Sequence, residues 1–492
     1  MNRRTFIRVV GTGAISLSLQ HAACSLFKQS NKRPNILWII AEDMSPHFGY
    51  NGEKAVDTPN VDILAAKGTV FSNMYVTCSV CSPSRSALIT GMYQTTIGAH
   101  NHRSSRTPES AIHLPGNIKT IPELFKENGY FTCNIAKDLK WDKPGKTDYN
   151  FVYNFDKLYN GTDWKDRKPG QPFFAQIQLQ GGKARKAKFD KMVDPNKIKL
   201  PPYYPNDPVI LDDWSKYLNT MMKTDKEVGI IIERLQKEKA LENTIIFFIT
   251  DHGISHARGK QFLYDEGAKV PFIVWGPKWI KSGVVRDELT VHIDMAATSL
   301  YFAGIDIPDY MESRPLFGKN AKPREYVVSA RDRCDETEDR IRSVRRGNFK
   351  YIQNFYPNRP YLQPCVYKDY KGIIKRLREL YSQGELNEYQ SLIMAENRPK
   401  EELYDLSKDP FELINLAGNP VHKKKLVELR SILEKWIKET GDKGQYLEPW
   451  DDYLANMKVA NKNLLKSGNP PRKAKDRIAN MKLMKKWRDA GK

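Results

Sequence analysis

The chain has 492 residues, 40% of them hydrophobic and 11% aromatic, which supplies a large core and excludes a disordered polyelectrolyte. Its 79 Lys and Arg against 58 Asp and Glu leave a net charge of +21, a balance that favours polyanionic partners without naming one. With 6 cysteines spread thinly over that length, a disulfide-dense secreted scaffold is excluded as well.

Residues 1–23 read as an export signal: Arg3-Arg4, then Phe6-Ile7, an apolar stretch from Val9 to Leu19, and small residues ahead of Cys24. The paired arginines resemble a twin-arginine signal. Ala22-Ala23-Cys24 resembles the end of a lipobox, although His21 stands where Leu or Val is expected, so lipidation of Cys24 stays open as the one route to a membrane. The apolar run is shorter than the ~20 residues a bilayer requires. The expected location is therefore exported, in the periplasm or cell envelope, and residues 24–33 are a polar linker.

Past the linker, the nearly continuous apolar run from Asn35 to Ala41 ends in Glu42-Asp43 and predicts a buried parallel strand. Phe173 to Leu179 and Pro271 to Trp275 are further strand candidates. Apolar positions at Val228, Ile231, Ile232 and Leu235 predict a helix over 223–239, and the strand from Asn243 to Thr250 comes after it, ending in Asp251-His252-Gly253. This rhythm predicts an α/β domain over 34–341, with a large mixed, mostly parallel sheet sandwiched by helices. In such sheets, polar residues just past the strand carboxyl ends line the ligand crevice, the place taken here by Glu42, Asp43, Asp251 and His252. Beyond Arg342, shorter strand-like pieces and a helix near 423–440 predict a smaller C-terminal α+β domain over 342–450. Residues 451–492 form a basic extension, expected to be a solvated helical tail because only Asp476 and Asp489 oppose its positive charge from Met457 onward.

Cys78 and Cys81 form a C-x-x-C pair, which alone reads as half a zinc site, a redox pair or two buried structural thiols. No second C-x-x-C exists to complete a zinc site. The residues beyond the pair are more specific: Cys81-Ser82-Pro83-Ser84-Arg85, with Leu88-Ile89-Thr90-Gly91 behind it, resembles the signature of the type I sulfatases of the alkaline phosphatase superfamily. In that family the cysteine is converted to formylglycine. The resemblance extends through Pro34-Asn35-Ile36, Thr58 to Asp62, Thr250 to Gly253, and Leu403 to Leu406 with Asp409-Pro410, so it runs from about residue 34 to 440. Arg342-Ser343-Val344 and Glu402 to Leu406 are similar to the heparan N-sulfatase (sulfamidase) branch.

That resemblance implies a mechanism. A maturing enzyme converts Cys81 to formylglycine, whose hydrate carries two hydroxyls; one attacks sulfur and the other collapses to aldehyde, expelling sulfate. The resemblance further implies a divalent cation held by Glu42, Asp43, Asp251, His252 and residue 81. Glu42 stands where Asp is usual, a longer arm that calcium tolerates better than magnesium. Arg85, Lys137 and Lys260 would supply fixed positive charge around the sulfate. Leu139 and Gln180 stand where the family usually has His, which leaves the leaving-group acid unassigned. His256 is the catalytic candidate, and Lys260, His100, His102, Lys183 and Arg342 are candidates for binding substrate. For His100 and His102 the alternative is a surface position. Cys133, Cys334 and Cys365 are expected to be structural, with a Cys334 to Cys365 bridge left open.

The function implied is that of an exported sulfatase acting on sulfate esters or N-sulfate of a polysaccharide, such as ulvan or a glycosaminoglycan, in bacterial polysaccharide degradation. The alternative within the superfamily is a metal-dependent phosphohydrolase or phosphotransferase, which would normally use Ser or Thr and further His and Asp ligands. A nucleic-acid partner is not expected, because no recognised module for one is present.

Overall fold

The computed structural model describes residues 33–319 and 321–492; the export signal, Cys24 and nearly all of the linker lie outside the described residues. Strand β1 (Asn35–Ala41) is buried along its whole length. Leu37, Ile39 and Ala41 face one core while Ile36, Trp38 and Ile40 face another, the two-residue alternation of a strand covered on both sides. Around it lie β2 (Thr69–Phe71), β4 (Phe131–Ala136), β5 (Lys140–Pro144), β6 (Phe173–Leu179), β7 (Thr244–Thr250), β8 (Phe272–Trp275) and β9 (Val284–Arg286), and a separate short pair joins β3 (Met74–Tyr75) to β10 (Thr290–Val291). The main sheet has the order β5-β4-β6-β1-β7-β8-β2-β9. Its centre, β4-β6-β1-β7, is parallel, and β5 and β8 join antiparallel, which is the mixed, mostly parallel sheet expected. In register, Ala41 pairs with Leu179 on one side and Thr250 on the other. The residues after these three strands therefore emerge side by side at one edge.

Helices cover both faces. The helix Pro208–Lys237 is longer than the apolar spacing predicts, because Asp207 caps the amides of Val209 and Ile210 and Pro208 occupies the first helical position. It buries Trp214, Tyr217, Leu218, Met221, Val228, Ile231 and Leu235 against the sheet. On the opposite face lie the helix Cys81–Thr90, buried throughout and ended by Gly91 at φ 67°, and the helix Asp294–Ala303.

The second sheet is antiparallel, in the order β11 (Val327–Arg331), β12 (Ile341–Arg346), β13 (Phe349–Asn354) and β14 (Glu401–Asp405). Since β11 precedes Arg342, this sheet begins earlier than the boundary expected from sequence. The helix Lys423–Thr440 packs Leu426, Leu429, Leu433 and Trp436 onto it.

The basic extension is helical, as Trp450–Lys466 and Pro471–Asp489, but it is docked rather than solvated. Tyr453, Met457 and Met484 are buried. Tyr453 donates to the Glu336 carbonyl at 2.8 Å, Arg477 lies 3.3 Å from the Glu336 carboxylate, and Arg488 pairs with Glu338. Its charge is matched locally by an acidic loop that sequence order hides. Cys334 and Cys365 are free thiols; Gln261 Nε2 approaches them at 3.2 and 3.5 Å. No helix among the described residues is long and apolar enough to cross a membrane.

Candidate active site

The site forms where β1, β6 and β7 end together. Asp43 takes a positive φ of 54°, a conformation Asp tolerates better than most side chains, and its amide donates to Asp251 Oδ1 at 3.1 Å. The turn after β6 passes so close that a Cβ on Gly181 would lie 2.3 Å from the Glu42 carbonyl oxygen and one on Gly182 2.2 Å from that of Asp43. Glycines at these two positions let the backbones pack and bring Lys183 over the strand ends.

Contacts account for the serines and the arginine beside Cys81. Cys81 opens its helix after Val80; the Ser82 hydroxyl accepts from the Arg103 amide at 2.9 Å; the Ser84 hydroxyl donates to the Asp251 carbonyl at 2.5 Å. Arg85 places Nε 3.0 Å from Asp251 Oδ2 and donates from Nη1 to Gln178 Oε1 at 2.6 Å, while its Nη2 is buried with no protein partner among the described residues. The helix therefore holds the cysteine against the strand ends through its own serine and arginine side chains.

Around Cys81 Sγ lie Lys260 Nζ at 2.8 Å, His252 Nε2 at 3.1 Å, Asp43 Oδ1 at 3.8 Å and Lys183 Nζ at 3.8 Å. Asp43, Cys81, Asp251 and His252 each offer a ligand atom within 4.8 Å of the others, and all four are buried. His252 Nδ1 lies 2.8 Å from the Gly253 carbonyl. The proton that bond needs leaves the Nε2 lone pair facing Asp43 Oδ1 at 3.2 Å. A lone pair and a carboxylate at that distance repel; a proton, favoured by Asp251 and Cys81, which raise His252 against its burial, or a divalent cation relieves this, and the four-residue donor set fits such a cation. Glu42 sits apart from this group, its Oε2 taken by Lys146 at 2.6 Å and by Lys183.

Electrostatics follow the same geometry. Burial alone would push the Cys81 thiol up, but Lys183 and Lys260 outweigh it and hold it well below its ordinary value. The Asp43 carboxyl is likewise held low against its burial by Lys183 and Lys260. Both lysines are raised well above the usual range despite desolvation, because Asp43 and residue 81 favour their charged forms.

The remaining sequence candidates divide. Lys260 and Lys183 stand at Cys81, but Lys137 is exposed on the turn after β4, and the structure does not bring it to the cluster. Lys146, which sequence reasoning missed, occupies the cationic position beside Glu42 instead. His256 is buried among Tyr204, Trp214 and Tyr217. Its Nε2 is engaged by Asp213 at 2.6 Å and Arg185 at 3.0 Å, and burial pushes it down to about 3, so it faces a side network rather than Cys81. His100 is buried beside a cavity lined by Lys443, Tyr446 and Asp452, and not exposed on the surface. His102 is buried with Nδ1 3.2 Å from Asp335 Oδ1. Arg342 is fully enclosed, paired with Asp442 at 2.7 Å and Asp332 at 2.9 Å. It ties β12 to the segment after the helix Lys423–Thr440, and substrate binding through it is corrected to a structural ion pair. Tyr367, also missed, donates to Asp43 Oδ2 at 3.0 Å; only the fold brings it there, because 324 residues separate the two.

A family model described as Sulfatase matches residues 34–305. The chain belongs to the sulfatase family. A second model, N-sulphoglucosamine sulphohydrolase, C-terminal, matches residues 252–360 of this sulfatase. An ulvan-active sulfatase of Formosa agariphila is 33% identical over 460 residues, covering 84% of this chain and 76% of the relative. The human N-sulphoglucosamine sulphohydrolase is 25% identical over 481 residues, covering 85% and 91%. Among solved structures, a 2-O glycosaminoglycan sulfatase superposes with a TM-score of 0.60 at 22% identity, over 85% of this chain and 94% of that one, and shares the alkaline-phosphatase-like fold. The segment Cys81 to Gly91, with its cysteine at the centre of the cluster, lies within the residues that the Sulfatase model matches.

Proposed function

We propose that this sulfatase removes sulfate from a sulfated polysaccharide or its oligosaccharides through a formylglycine made from Cys81. The observation that carries the reading is the placement of Cys81 Sγ within 3.8 Å of Lys260, Lys183, His252 and Asp43. A nucleophile there meets an anion whose charge is neutralised by lysines already fixed in place, and preorganised charge of this kind usually lowers the barrier more than any other single effect. One hydroxyl of the hydrated aldehyde attacks sulfur and the sugar oxygen leaves with a proton. The second hydroxyl then loses its proton and collapses to aldehyde, breaking the carbon–oxygen bond to sulfate. Lys260 and Lys183 hold the sulfate oxygens, and Arg85, paired with Asp251 at 3.0 Å, holds that carboxylate in place. Asp43, Asp251 and His252 would hold a divalent cation, calcium by preference for its oxygen donors, which supplies Lewis-acid polarisation when bound. Lys146 and Lys183, whose side chains are 29% and 31% exposed, mark the open side through which substrate enters.

The names of the relatives, ulvan-active and N-sulphoglucosamine-directed, support a carbohydrate substrate bearing O- or N-sulfate. The twin-arginine-like leader supports export, a lipid anchor would lie on Cys24, and the conversion of Cys81 requires a maturing enzyme. The test is sulfate release, followed by ion chromatography over a panel of ulvan and glycosaminoglycan oligosaccharides. The matured protein is expected to turn over repeatedly on at least one of them. Cys81→Ser lacks the second hydroxyl and is expected to stop after at most one sulfate per chain, detectable as a sulfated protein mass. Repeated turnover by Cys81→Ser would refute the formylglycine route.

A further inference from the structure

Resting on the reading of a sulfated-glycan hydrolase, we propose that the docked C-terminal helices build a second anion subsite beside the catalytic cluster, in which Arg103 selects substrates carrying a negatively charged sugar next to the sulfated one. A cavity of about 430 Å³ lies between the helix Trp450–Lys466, the helix Pro471–Asp489 and the segment 103–106, lined among others by Arg103, Arg106, Asp148, Asn463, Asn469 and Arg477. Ion pairs connect it to the catalytic cluster. Lys146 bridges Glu42 at 2.6 Å and Asp148 at 3.4 Å, so the lysine at the site mouth and the floor of the cavity share one ion-pair chain. From the other side, the Arg103 amide is hydrogen-bonded to Ser82 Oγ, one residue beyond the nucleophile.

The lining arginines are not equivalent. Arg477 is buried against Glu336, and Arg106 is engaged by Asp148 at 2.9 Å and by the Tyr149 carbonyl. Arg103 is different: its side chain is 50% exposed, and the carboxylate it pairs with, Asp335, lies at 3.7 Å and is shared with His102. Its backbone is held at φ 55°, a conformation costly for an arginine and maintained by the Ser82 contact. A guanidinium presented this way at the rim of a polar cavity suits a carboxylate or sulfate, each of which accepts its paired N–H groups. Asn463 and Asn469 add neutral polar lining, and no acidic residue but Asp148, already neutralised by Lys146 and Arg106, opposes an anion among the lining residues. The occupant is therefore the adjoining anionic sugar of the same glycan chain.

The experiment uses full-length protein with Cys81 left as the thiol, so that nothing turns over, and titrates it calorimetrically with a sulfated oligosaccharide containing uronic acid. The same oligosaccharide after carboxyl reduction, and a disulfated one without uronate, serve as the other probes. Arg103→Gln is expected to weaken binding of the uronate-bearing probe about tenfold, as loss of a charge-assisted pair does, and to bind the carboxyl-reduced probe as the parent does. If the disulfated probe alone responds to Arg103→Gln, the subsite stands with sulfate as its anion. Asn463→Asp, on an exposed helix position, is expected to weaken the anionic probes in the same order without changing thermal stability. Equal binding of all probes by the parent and Arg103→Gln would overturn the subsite alone. A parent protein that binds none of the sulfated probes would overturn the glycan reading on which it rests.

Discussion

At the scale of single residues, the members of the candidate cluster are legible where they sit next to a strand end or in a short motif. Asp43, Asp251, His252, Cys81 and Arg85 follow β1 and β7 or open one helix, so local pattern locates them. Lys146 and Tyr367 carry no such mark: one lies in a loop after β5, and the other reaches Asp43 across 324 residues of sequence. Arg342 and Lys137 show the converse failure, because a charged residue in a suggestive segment says nothing of which way the fold turns it. His102 gives a residue-scale prediction. Desolvation would lower it, but Asp335 raises it from 6.5 to about 10. A group raised on folding stabilises fully below its unfolded value and loses that contribution as pH climbs to the folded one. Denaturant unfolding of the parent is therefore expected to show stability falling between pH 6.5 and about 10, and His102→Gln should flatten that slope. An identical slope in the variant would assign it elsewhere.

At the scale of elements, the parallel strands were readable from their apolar runs because both faces are covered, whereas the fate of the tail was not. The helix Pro471–Asp489 has few apolar anchors and docks largely through arginines whose partners, Glu336 and Glu338, lie some 140 to 150 residues earlier. Charge runs are usually solvated, and only the acidic loop after β11 reverses that expectation here. Glu336 is fully buried; it accepts from the Val366 amide and Asn480, and burial and the neighbouring Asp335 raise it above its ordinary value while Arg477 opposes them. Arg477→Met leaves that carboxyl without its cation and is expected to cost on the order of 3 kcal/mol in urea unfolding, the usual penalty for breaking a buried pair. A loss within experimental error of zero would mean that the Arg477–Glu336 pair does not hold the helix, leaving its docking to Met484 and the Arg488–Glu338 pair.

At the scale of the whole molecule, two sheets and a helical extension converge on one edge: the main sheet brings the acidic ligands, the buried helix brings Cys81, and the C-terminal elements bring Tyr367 and the cavity wall. The proposed cation would complete such a site. Chelator-treated protein is expected to gain several degrees in Tm when calcium is added back, because binding to the folded state alone stabilises it. Asp251→Asn should abolish that gain, and an unchanged gain would place the ion elsewhere. Formylglycine at residue 81 is tested by the mass of the Cys81 peptide from protein matured in a competent host. The account predicts a peptide that has exchanged its sulfur and two hydrogens for one oxygen and reacts with hydrazine, in a preparation that releases sulfate. An intact thiol at Cys81 in a preparation that still releases sulfate catalytically would contradict it.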